Sequence, residues 1–334
     1  MSLQPSSPSF PFPFADEKEY LSYKVGALLY TPAINSTIAP KIKNQSIPYL
    51  TSLSICLEDS IQDQSVPQAE KTLLETLHEI AQIANDQRPL IFIRIRSVKH
   101  LLHLHTLLGE NETAVTGFIL PKFDLTNADD YKKVILNINQ NREKPLYFMP
   151  ILESNTIANA HCRISNLTLI KEILDSIKPY ILNIRVGGND LCNLYGLRRS
   201  PGQTIYDIGV VRDILVDIIN IFAIDYVVSG PVWEYFGDES GDWERGLRRE
   251  LNMDKINGFI GKTAIHPSQL PIIYNGMAVT EADYNDALKI LNWDNQLLGV
   301  QSSTNKSRMN EVKCHRNWAK KTVFLAKIYG TKKG

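Results

Sequence analysis

The chain has 334 residues, of which 43% are hydrophobic, so it can bury a large core and is not intrinsically disordered. Lysine plus arginine and aspartate plus glutamate are equal at 36 each, and this balance excludes a general electrostatic attraction to nucleic acid or to an anionic membrane. The four cysteines lie far apart, which argues against a zinc site or a disulfide scaffold and favours a reducing, cytoplasmic location.

The first 20 residues contain four prolines interleaved with phenylalanine and serine, and we predict a flexible arm at residues 1–20. This segment lacks both the basic start and the apolar run of a signal peptide. No apolar stretch in the chain approaches the ~20 residues that a membrane helix needs. The sequence therefore predicts no association with a membrane.

After the arm, short apolar runs alternate with longer helical patterns, such as those at residues 68–84 and 213–222. The apolar runs, predicted as strands, are residues 25–30, 53–57, 90–95, 117–120, 146–151, 181–186, 225–229 and 258–263. Strict alternation implies parallel strands with right-handed crossovers. Eight such units in about 240 residues favour a (β/α)8 barrel at residues 21–276, with a doubly wound open sheet as the alternative.

Residues 277–334 are predicted to form a C-terminal helical extension. An amphipathic helix pattern follows Gly276, a polar linker runs from Gln301 to Lys306, and a final helix is predicted from Arg316 to Tyr329. A linker of this kind would allow the last helix to cross to a neighbouring chain. We therefore expect the extension to lie at a subunit interface.

Charged side chains of both signs gather where the predicted strands end. The active site of a barrel of this kind lies at the carboxyl ends of its strands. These positions hold Glu58, Asp59, Arg94, Arg96, Lys122, Glu153, Asp190, Trp233, Glu234, Lys262 and His266. The alternative is that charges flank any strand, and for Arg96 or Glu234 alone a surface ion pair of little energetic value is the simpler interpretation.

The segment ILNIRVGGNDL, residues 181–191, is the centre of this pattern. Gly187 and Gly188 follow its buried strand and allow either a positive φ or a close approach to a ligand. Asp190 comes next, and Glu153 lies in the same relation to the strand before. Two carboxylates at the ends of adjacent parallel strands would converge and repel each other, so a hard divalent cation is expected between them.

Seven segments carry a family resemblance: LLYTPA, ICLEDSI, IFIRIRS, GFILPKF, PILES, RVGGNDL and GFIGKTAIHPSQ. In this order they resemble citrate lyase β subunits, malyl-CoA lyases and related aldolases, over about Lys24 to Ala319. The resemblance implies a set of site residues. Glu153 and Asp190 would ligate Mg²⁺, Arg94 would bind the substrate carboxylate or oxo group, Glu58 and Asp59 would hold metal-bound waters, and Lys122 and Lys262 would complete the polar floor beside Gly187 and Gly188.

The expected reaction is a reversible, Mg²⁺-assisted aldol or Claisen cleavage of a 2-oxo or 2-hydroxy acid such as oxaloacetate. A thioester of coenzyme A or of an acyl carrier protein is a further substrate that the resemblance alone implies. The alternative from another functional class is a barrel without lyase activity that serves as an accessory or binding subunit in a biosynthetic or stress operon. The intact pair of Glu153 and Asp190 favours the lyase.

The chain departs from the resembled family at three places. Arg96 stands where the family has asparagine. The segment SGPVWEYFGDESGDWERG is longer and more aromatic than expected, with Trp233 predicted to line the pocket and Trp243 to pack. In the family's thioester lyases an aspartate in the tail acts as an acid or base in a neighbouring subunit's site, commonly in trimers or pairs of trimers. Glu311 takes that place here, so it is predicted either to transfer a proton or to be an exposed linker residue.

Two further patterns are weaker candidates for functional sites. Residues 256–263 (INGFIGKT) end like a phosphate-binding loop, but Ile256 stands where the first glycine is required. His100, His103 and His105 are spaced like metal ligands but interleave with leucines on a predicted helix. Surface histidines are the favoured interpretation of that cluster.

Overall fold

The computed structural model describes residues 14–237, 240–294 and 297–333. They divide into two compact units, one of residues 25–276 and one made of the residues before 25 and after 276. The strands are β1 (Ala27–Pro32), β2 (Ser52–Cys56), β3 (Leu90–Arg94), β4 (Gly117–Leu120), β5 (Tyr147–Leu152), β6 (Ile184–Val186), β7 (Val228–Ser229), β8 (Lys262–Ala264), β9 (Val279–Thr280), β10 (Val300–Ser302), β11 (Met309–Glu311) and β12 (Thr331–Lys332).

The helices of the larger unit are α2 (Ile38–Lys43), α3 (Val66–Ala81), α4 (Val98–Leu108), α5 (Ala128–Asn139), α6 (Asn155–Ala158), α7 (Arg163–Asp175), α8 (Gly188–Leu194), α9 (Gly209–Phe222), α10 (Asp242–Ile256) and α11 (Leu270–Met277). Those of the smaller unit are α1 (Glu17–Lys24), α12 (Glu281–Leu291) and α13 (Val312–Tyr329). Among the described residues, no helix combines the length and the apolar composition that crossing a membrane requires.

The larger unit is a closed barrel. Within the described residues, eight parallel strands pair in the order β7-β6-β5-β4-β3-β2-β1-β8. The ring closes between β7 and β8, where Gly230 pairs with Lys262 and the Ile260 amide donates to the Val228 carbonyl at 2.8 Å. The predicted (β/α)8 barrel is confirmed, and the closure excludes the doubly wound sheet.

The period of the apolar residues explains the helices that surround this barrel. In α3, Leu73, Leu77 and Ile80 are fully buried at helical spacing, and a proline stands in the first turn, where its missing N–H has no cost. Large side chains such as Phe118 and Phe148 are fully buried as well, and their rings stack with centroids 5.9 Å apart. These helices and side chains fix the strand ends that carry the site.

The last two barrel strands are shorter than predicted. Gly258 and Gly261 have φ angles of +99° and +74°, a turn conformation that favours glycine, so β8 begins only at Lys262. A Cβ on Gly261 would lie 2.3 Å from the Gly26 carbonyl oxygen. Close backbone approach therefore also requires glycine there, and Lys262 becomes the first residue of its strand.

The smaller unit packs α12 and α13 around a buried cluster of Ala287, Ile290, Ala319 and Val323. Helix α1 begins at Glu17, inside the segment predicted as an arm, while residues 1–13 lie outside the described part of the chain. The last helix, α13, begins at Val312, four residues before the start predicted from the sequence.

The residues predicted as a polar linker form part of a hairpin. Strands β10 and β11 pair antiparallel, with Gln301 opposite Asn310. The Arg308 guanidinium lies 3.0 Å from Asp286 of α12, and Thr304 donates its amide and hydroxyl to the same carboxylate. These contacts fix the hairpin to α12, so the prediction of a loose linker is wrong.

Candidate active site

A cavity of about 200 Å³ lies at the carboxyl ends of the barrel strands. Of the residues predicted for the site, those that line it are Asp59, Arg94, Glu153, Gly187, Gly188 and Asp190. They come from separate loops and strands that only the closed barrel brings together. The cavity is the candidate active site.

Arg94, the last residue of β3, links three of the predicted acids. Its Nη2 lies 2.8 Å from Glu58, 3.1 Å from Asp59 and 3.6 Å from Glu153. Burial lowers the pKa of Arg94, but Tyr30, Glu153 and Glu58 outweigh burial and raise the pKa well above its usual range. Since all three ion pairs use Nη2, the guanidinium keeps donors that no described residue occupies, and its Nε is buried without a partner.

Lys122 connects the same acids from the loop after β4. Its φ of +49° is the left-handed conformation, rare for lysine, and its backbone N–H donates to Glu153 Oε1 at 2.8 Å. Its Nζ donates to Glu58 at 2.6 Å and to Asp59 at 3.3 Å. Burial lowers the pKa of Lys122, but the hydrogen bond with Glu58 and the nearby acids raise it to about 12. The lysine therefore stays charged and holds both loops together.

Glu58 and Asp59 share these cations unequally. Burial raises the pKa of Glu58, against the charge of Arg94. Burial also raises that of Asp59, but hydrogen bonding with Glu58 and the charges of Arg94 and Lys122 outweigh it and lower the pKa overall. Asp59, with a half-exposed side chain, is the member of the pair that lines the cavity.

Glycine is required at positions 187 and 188 because neighbouring groups approach closely. A Cβ on Gly187 would lie 1.9 Å from Glu153 Oε2, and one on Gly188 would lie 2.7 Å from both Ile205 and Pro231. Neither glycine has a positive φ; that of Gly187 is −88°. The positive φ that the sequence allowed is therefore wrong, and the close approaches that the structure shows are to groups of the protein itself.

Glu153 and Asp190 both line the cavity and form its most acidic part. Burial raises the pKa of Glu153 to about 8; Arg94 acts against this, whereas the charge of Asp190 raises the pKa further. Glu153 Oε1 accepts the Lys122 amide at 2.8 Å and lies 3.6 Å from Arg94 Nη2. A cation beside both carboxylates would relieve their repulsion and the cost of burying this charge.

The donor set fits Mg²⁺. This ion takes oxygen ligands and is often held by one or two carboxylates, with waters or substrate in its other positions. Within the described ranges, no three His, Cys, Asp or Glu side chains are grouped as they would be around an ion that the protein ligates fully. Glu153 and Asp190 are the pair that would hold it.

Lys262 and Trp233 do not lie in the substrate site, where the sequence predicted them to lie. Lys262 is fully buried, and its Nζ donates to Glu250 at 2.8 Å and to Asp254 at 2.7 Å, both on α10. Trp233 is also fully buried, with its ring against Gly246. Since neither side chain lines the cavity, both substrate-binding predictions are corrected to structural roles.

Arg96 and the three histidines of α4 also have structural partners. Arg96 donates to the Leu57 and Ile61 carbonyls at 3.0 and 3.1 Å, which fixes the loop after β2. His100 and His103 share the carboxylate of Glu70, and His105 contacts Glu112 at 2.6 Å. These pairings agree with the interpretation that the histidines are not metal ligands.

His266 and Glu311 lie outside the set that lines the cavity. His266 Nδ1 accepts the Ser268 amide at 3.2 Å, so it caps a short 3-10 helix, and its ring stacks on Phe236. Glu311 belongs to the smaller unit, where it precedes α13 and its amide donates to His315 at 2.9 Å. Its catalytic role stays a prediction.

Four polar residues that line the cavity were not singled out from the sequence: Tyr30, Arg185, Asn189 and Thr263. The Arg94 guanidinium lies 5.9 Å from the centre of the Tyr30 ring. Arg185 Nη2 donates to Thr263 Oγ1 at 2.6 Å. An arginine inside an otherwise apolar strand was the available signal, because burying a charge is costly unless the charge has a use.

A family model described as carbon–carbon bond lyase of the TIM-barrel fold matches residues 19–331. No curated protein matches the sequence. Among solved structures, a citrate lyase from Burkholderia xenovorans LB400 is similar, with a TM-score of 0.67 and 15% identity, over 92% of this chain and 93% of that one.

Two structures from Mycobacterium tuberculosis are also similar in fold. The protein CitE in complex with magnesium, acetoacetate and coenzyme A has a TM-score of 0.59 and 17% identity, over 91% of this chain and 99% of that one. A citrate lyase β subunit complexed with oxaloacetate and magnesium has a TM-score of 0.51 and 18% identity, over 76% and 98% of the two chains.

Proposed function

The chain belongs to the carbon–carbon bond lyases of the TIM-barrel fold, and from this membership we propose that it is a Mg²⁺-dependent lyase of 2-oxo or 2-hydroxy acids. The reaction would be an aldol or Claisen cleavage, or the reverse condensation. The observation that carries the proposal is the position of Glu153 and Asp190 on one cavity together with Arg94. The two carboxylates would hold the metal ion that the substrate chelates, and the guanidinium would bind the anionic group of the substrate.

The roles of the side chains follow from their contacts. Mg²⁺ held by Glu153 and Asp190 would supply a Lewis acid next to the oxygen on which negative charge develops. Arg94 is oriented by Glu58 and Asp59, so its remaining donors are preorganised for a substrate carboxylate. Lys122 also pairs with these two acids, so they do not depend on Arg94 alone, and other donors of Arg94 stay available for the substrate.

The substrate class has support from the fold neighbours. The two Mycobacterium tuberculosis proteins bind magnesium with acetoacetate and coenzyme A, or with oxaloacetate. We therefore propose oxaloacetate-like acids as substrates or products, and a coenzyme A or acyl carrier protein thioester as the further candidate.

Removal of the metal tests this proposal. We expect oxaloacetate to bind the protein with Mg²⁺ and its affinity to fall by about 100-fold or more with EDTA, because the chelated oxygens lose their main partner. Isothermal titration calorimetry measures both states, and succinate, which has no oxo group, is the control ligand. Equal affinity for oxaloacetate with and without the chelator would contradict the proposal.

The smaller unit suggests an assembly of several copies. Glu311 is the last residue of the hairpin that Arg308 and Thr304 fix to α12, and it pairs there with Val300. We propose a trimer or a pair of trimers in which this glutamate reaches a neighbouring cavity. Light scattering should give a mass of at least three chains of 37.8 kDa, and a monomer would contradict the proposal.

Glu311→Gln tests the catalytic role within that assembly. If Glu311 transfers a proton, the variant should lower turnover by about 100-fold or more while Mg²⁺ and oxaloacetate affinities stay within about twofold. Lys313→Gln, in the same turn of the chain, is the matched control. Full turnover in Glu311→Gln would assign the residue to a structural role and leave Asp59 or Glu58 as the candidate acid or base.

A further inference from the structure

Arg185 is a buried cation without an acidic partner among the described residues. It is the middle residue of β6, and only 2% of it is exposed. Its guanidinium donates to the Thr263 hydroxyl through Nη2 and hydrogen-bonds with the Tyr30 side chain, while its Nη1 is buried and has no hydrogen-bond partner. Arg185 nevertheless lines the cavity. A buried donor without a partner lowers the stability of the fold, so its presence beside a cavity indicates that a ligand is its partner.

The other buried arginines show how unusual this is. Arg163 contacts Asp217 at 2.9 Å, Arg199 contacts Glu250 at 3.5 Å, and Arg94 contacts three acids. Burial lowers the pKa of Arg185, but arginine keeps its proton in proteins at neutral pH, so the residue is a buried charge. A buried charge without a counterion is destabilising unless a ligand supplies one.

The strand order places this charge away from the acidic cluster. Arg185 and Thr263 belong to β6 and β8, which are separated in the barrel only by β7. Glu58, Arg94 and Lys122 follow or end β2, β3 and β4, on the other side of the ring. The cavity therefore has a cation on each side, with Glu153 after the intervening strand β5 and Asp190 after β6 itself.

We propose that Arg185, oriented by Thr263, is a specificity-determining residue that binds a second carboxylate of the substrate. This inference rests on the proposed function: the first carboxylate and the oxo group would face the metal ligands and Arg94, and the distal carboxylate would face Arg185. The cavity, at about 200 Å³, is smaller than the usual site for larger ligands. Short-chain oxo dicarboxylic acids are thus the class that it selects over monocarboxylic ones.

The test compares two oxo acids that differ in the distal carboxylate. In the presence of Mg²⁺, calorimetry measures the affinities of oxaloacetate and of pyruvate for the wild type and for Arg185→Gln. The variant should bind oxaloacetate about 10- to 100-fold more weakly, the usual effect of losing a charge-assisted hydrogen bond, and pyruvate within about twofold. Arg163→Gln, which removes a buried arginine that does not line the cavity, should leave the ratio of the two affinities unchanged.

If Arg185→Gln does not fold, Thr263→Val tests the role of Arg185 instead. It keeps the shape of the side chain but removes the hydroxyl that orients Arg185, so it should weaken oxaloacetate binding severalfold and spare pyruvate. Equal losses for the two acids, or none, in the folded variants would overturn the role of Arg185 and leave the proposed function standing. If the wild type binds neither acid with Mg²⁺, the proposed function fails and this inference with it.

Discussion

Glu153→Gln should abolish the Mg²⁺-dependent binding of oxaloacetate, with a loss of about 100-fold or more in affinity by calorimetry. The substitution keeps the size of the side chain and an oxygen that can accept the Lys122 amide, which Glu153 accepts at 2.8 Å. It removes the negative charge, and a neutral amide is a poor ligand for a hard cation that prefers carboxylates. Asp190→Asn should have the same effect for the same reason.

Glu112→Gln is the matched control for this loss. Glu112 is a buried glutamate with cationic and histidine partners, Arg142 at 2.7 Å and His105 at 2.6 Å, and it does not line the cavity. The control should bind oxaloacetate with Mg²⁺ as the wild type does. Unchanged oxaloacetate binding in both Glu153→Gln and Asp190→Asn would contradict the assignment of these residues as metal ligands.

The barrel and the acidic half of the site could be predicted from the sequence because both depend on local patterns. Apolar runs with glycine or proline at their ends mark strands, and a carboxylate just after a parallel strand lies at the active-site end of a barrel. Glu153 and Asp190 follow β5 and β6 in this way, and both line the cavity. The same local rule indicated Arg94 and Asp59.

The rule failed for Lys262 because it depends on where the strand begins and ends. The predicted strand at residues 258–263 puts Lys262 near its end, whereas the glycine turn at Gly258 and Gly261 makes it the first residue of β8. Successive side chains of a strand point to opposite faces, so Thr263 lines the cavity while Lys262 points to the outer face, where α10 packs. Arg185 was missed for the opposite reason, since it lies inside a strand and yet lines the cavity.

The partners of Lys262 could not be predicted from a local sequence pattern either. Glu250 and Asp254 are four residues apart on α10 and thus share one face of that helix. That this face meets β8 depends on closure of the ring between β7 and β8. Tyr206 adds a hydrogen bond to Asp254 at 2.7 Å from a third segment of the chain. Three distant segments therefore satisfy one buried charge, which the sequence does not indicate.

Lys262→Met should accordingly destabilise the fold rather than weaken substrate binding selectively. Lys262, Glu250 and Asp254 are all fully buried, so removal of the ammonium leaves Asp254 without its cation and Glu250 with Arg199 alone, at 3.5 Å. Breaking a buried ion pair in this way costs about 3–5 kcal/mol, which urea unfolding would show as a lower midpoint. Lys133→Met, which removes an exposed lysine paired with Asp130, should change stability by less than about 0.5 kcal/mol.

A combined variant separates the buried charges from the loss of packing. Adding Glu250→Gln and Asp254→Asn to Lys262→Met removes the uncompensated carboxylates and should recover part of the lost stability, because a neutral set of similar volume does not bury an unpaired charge. The folded fraction of Lys262→Met should still bind oxaloacetate with Mg²⁺, since Lys262 does not line the cavity. If Lys262→Met instead kept its urea midpoint and lost oxaloacetate affinity, the lysine would belong to the substrate site after all.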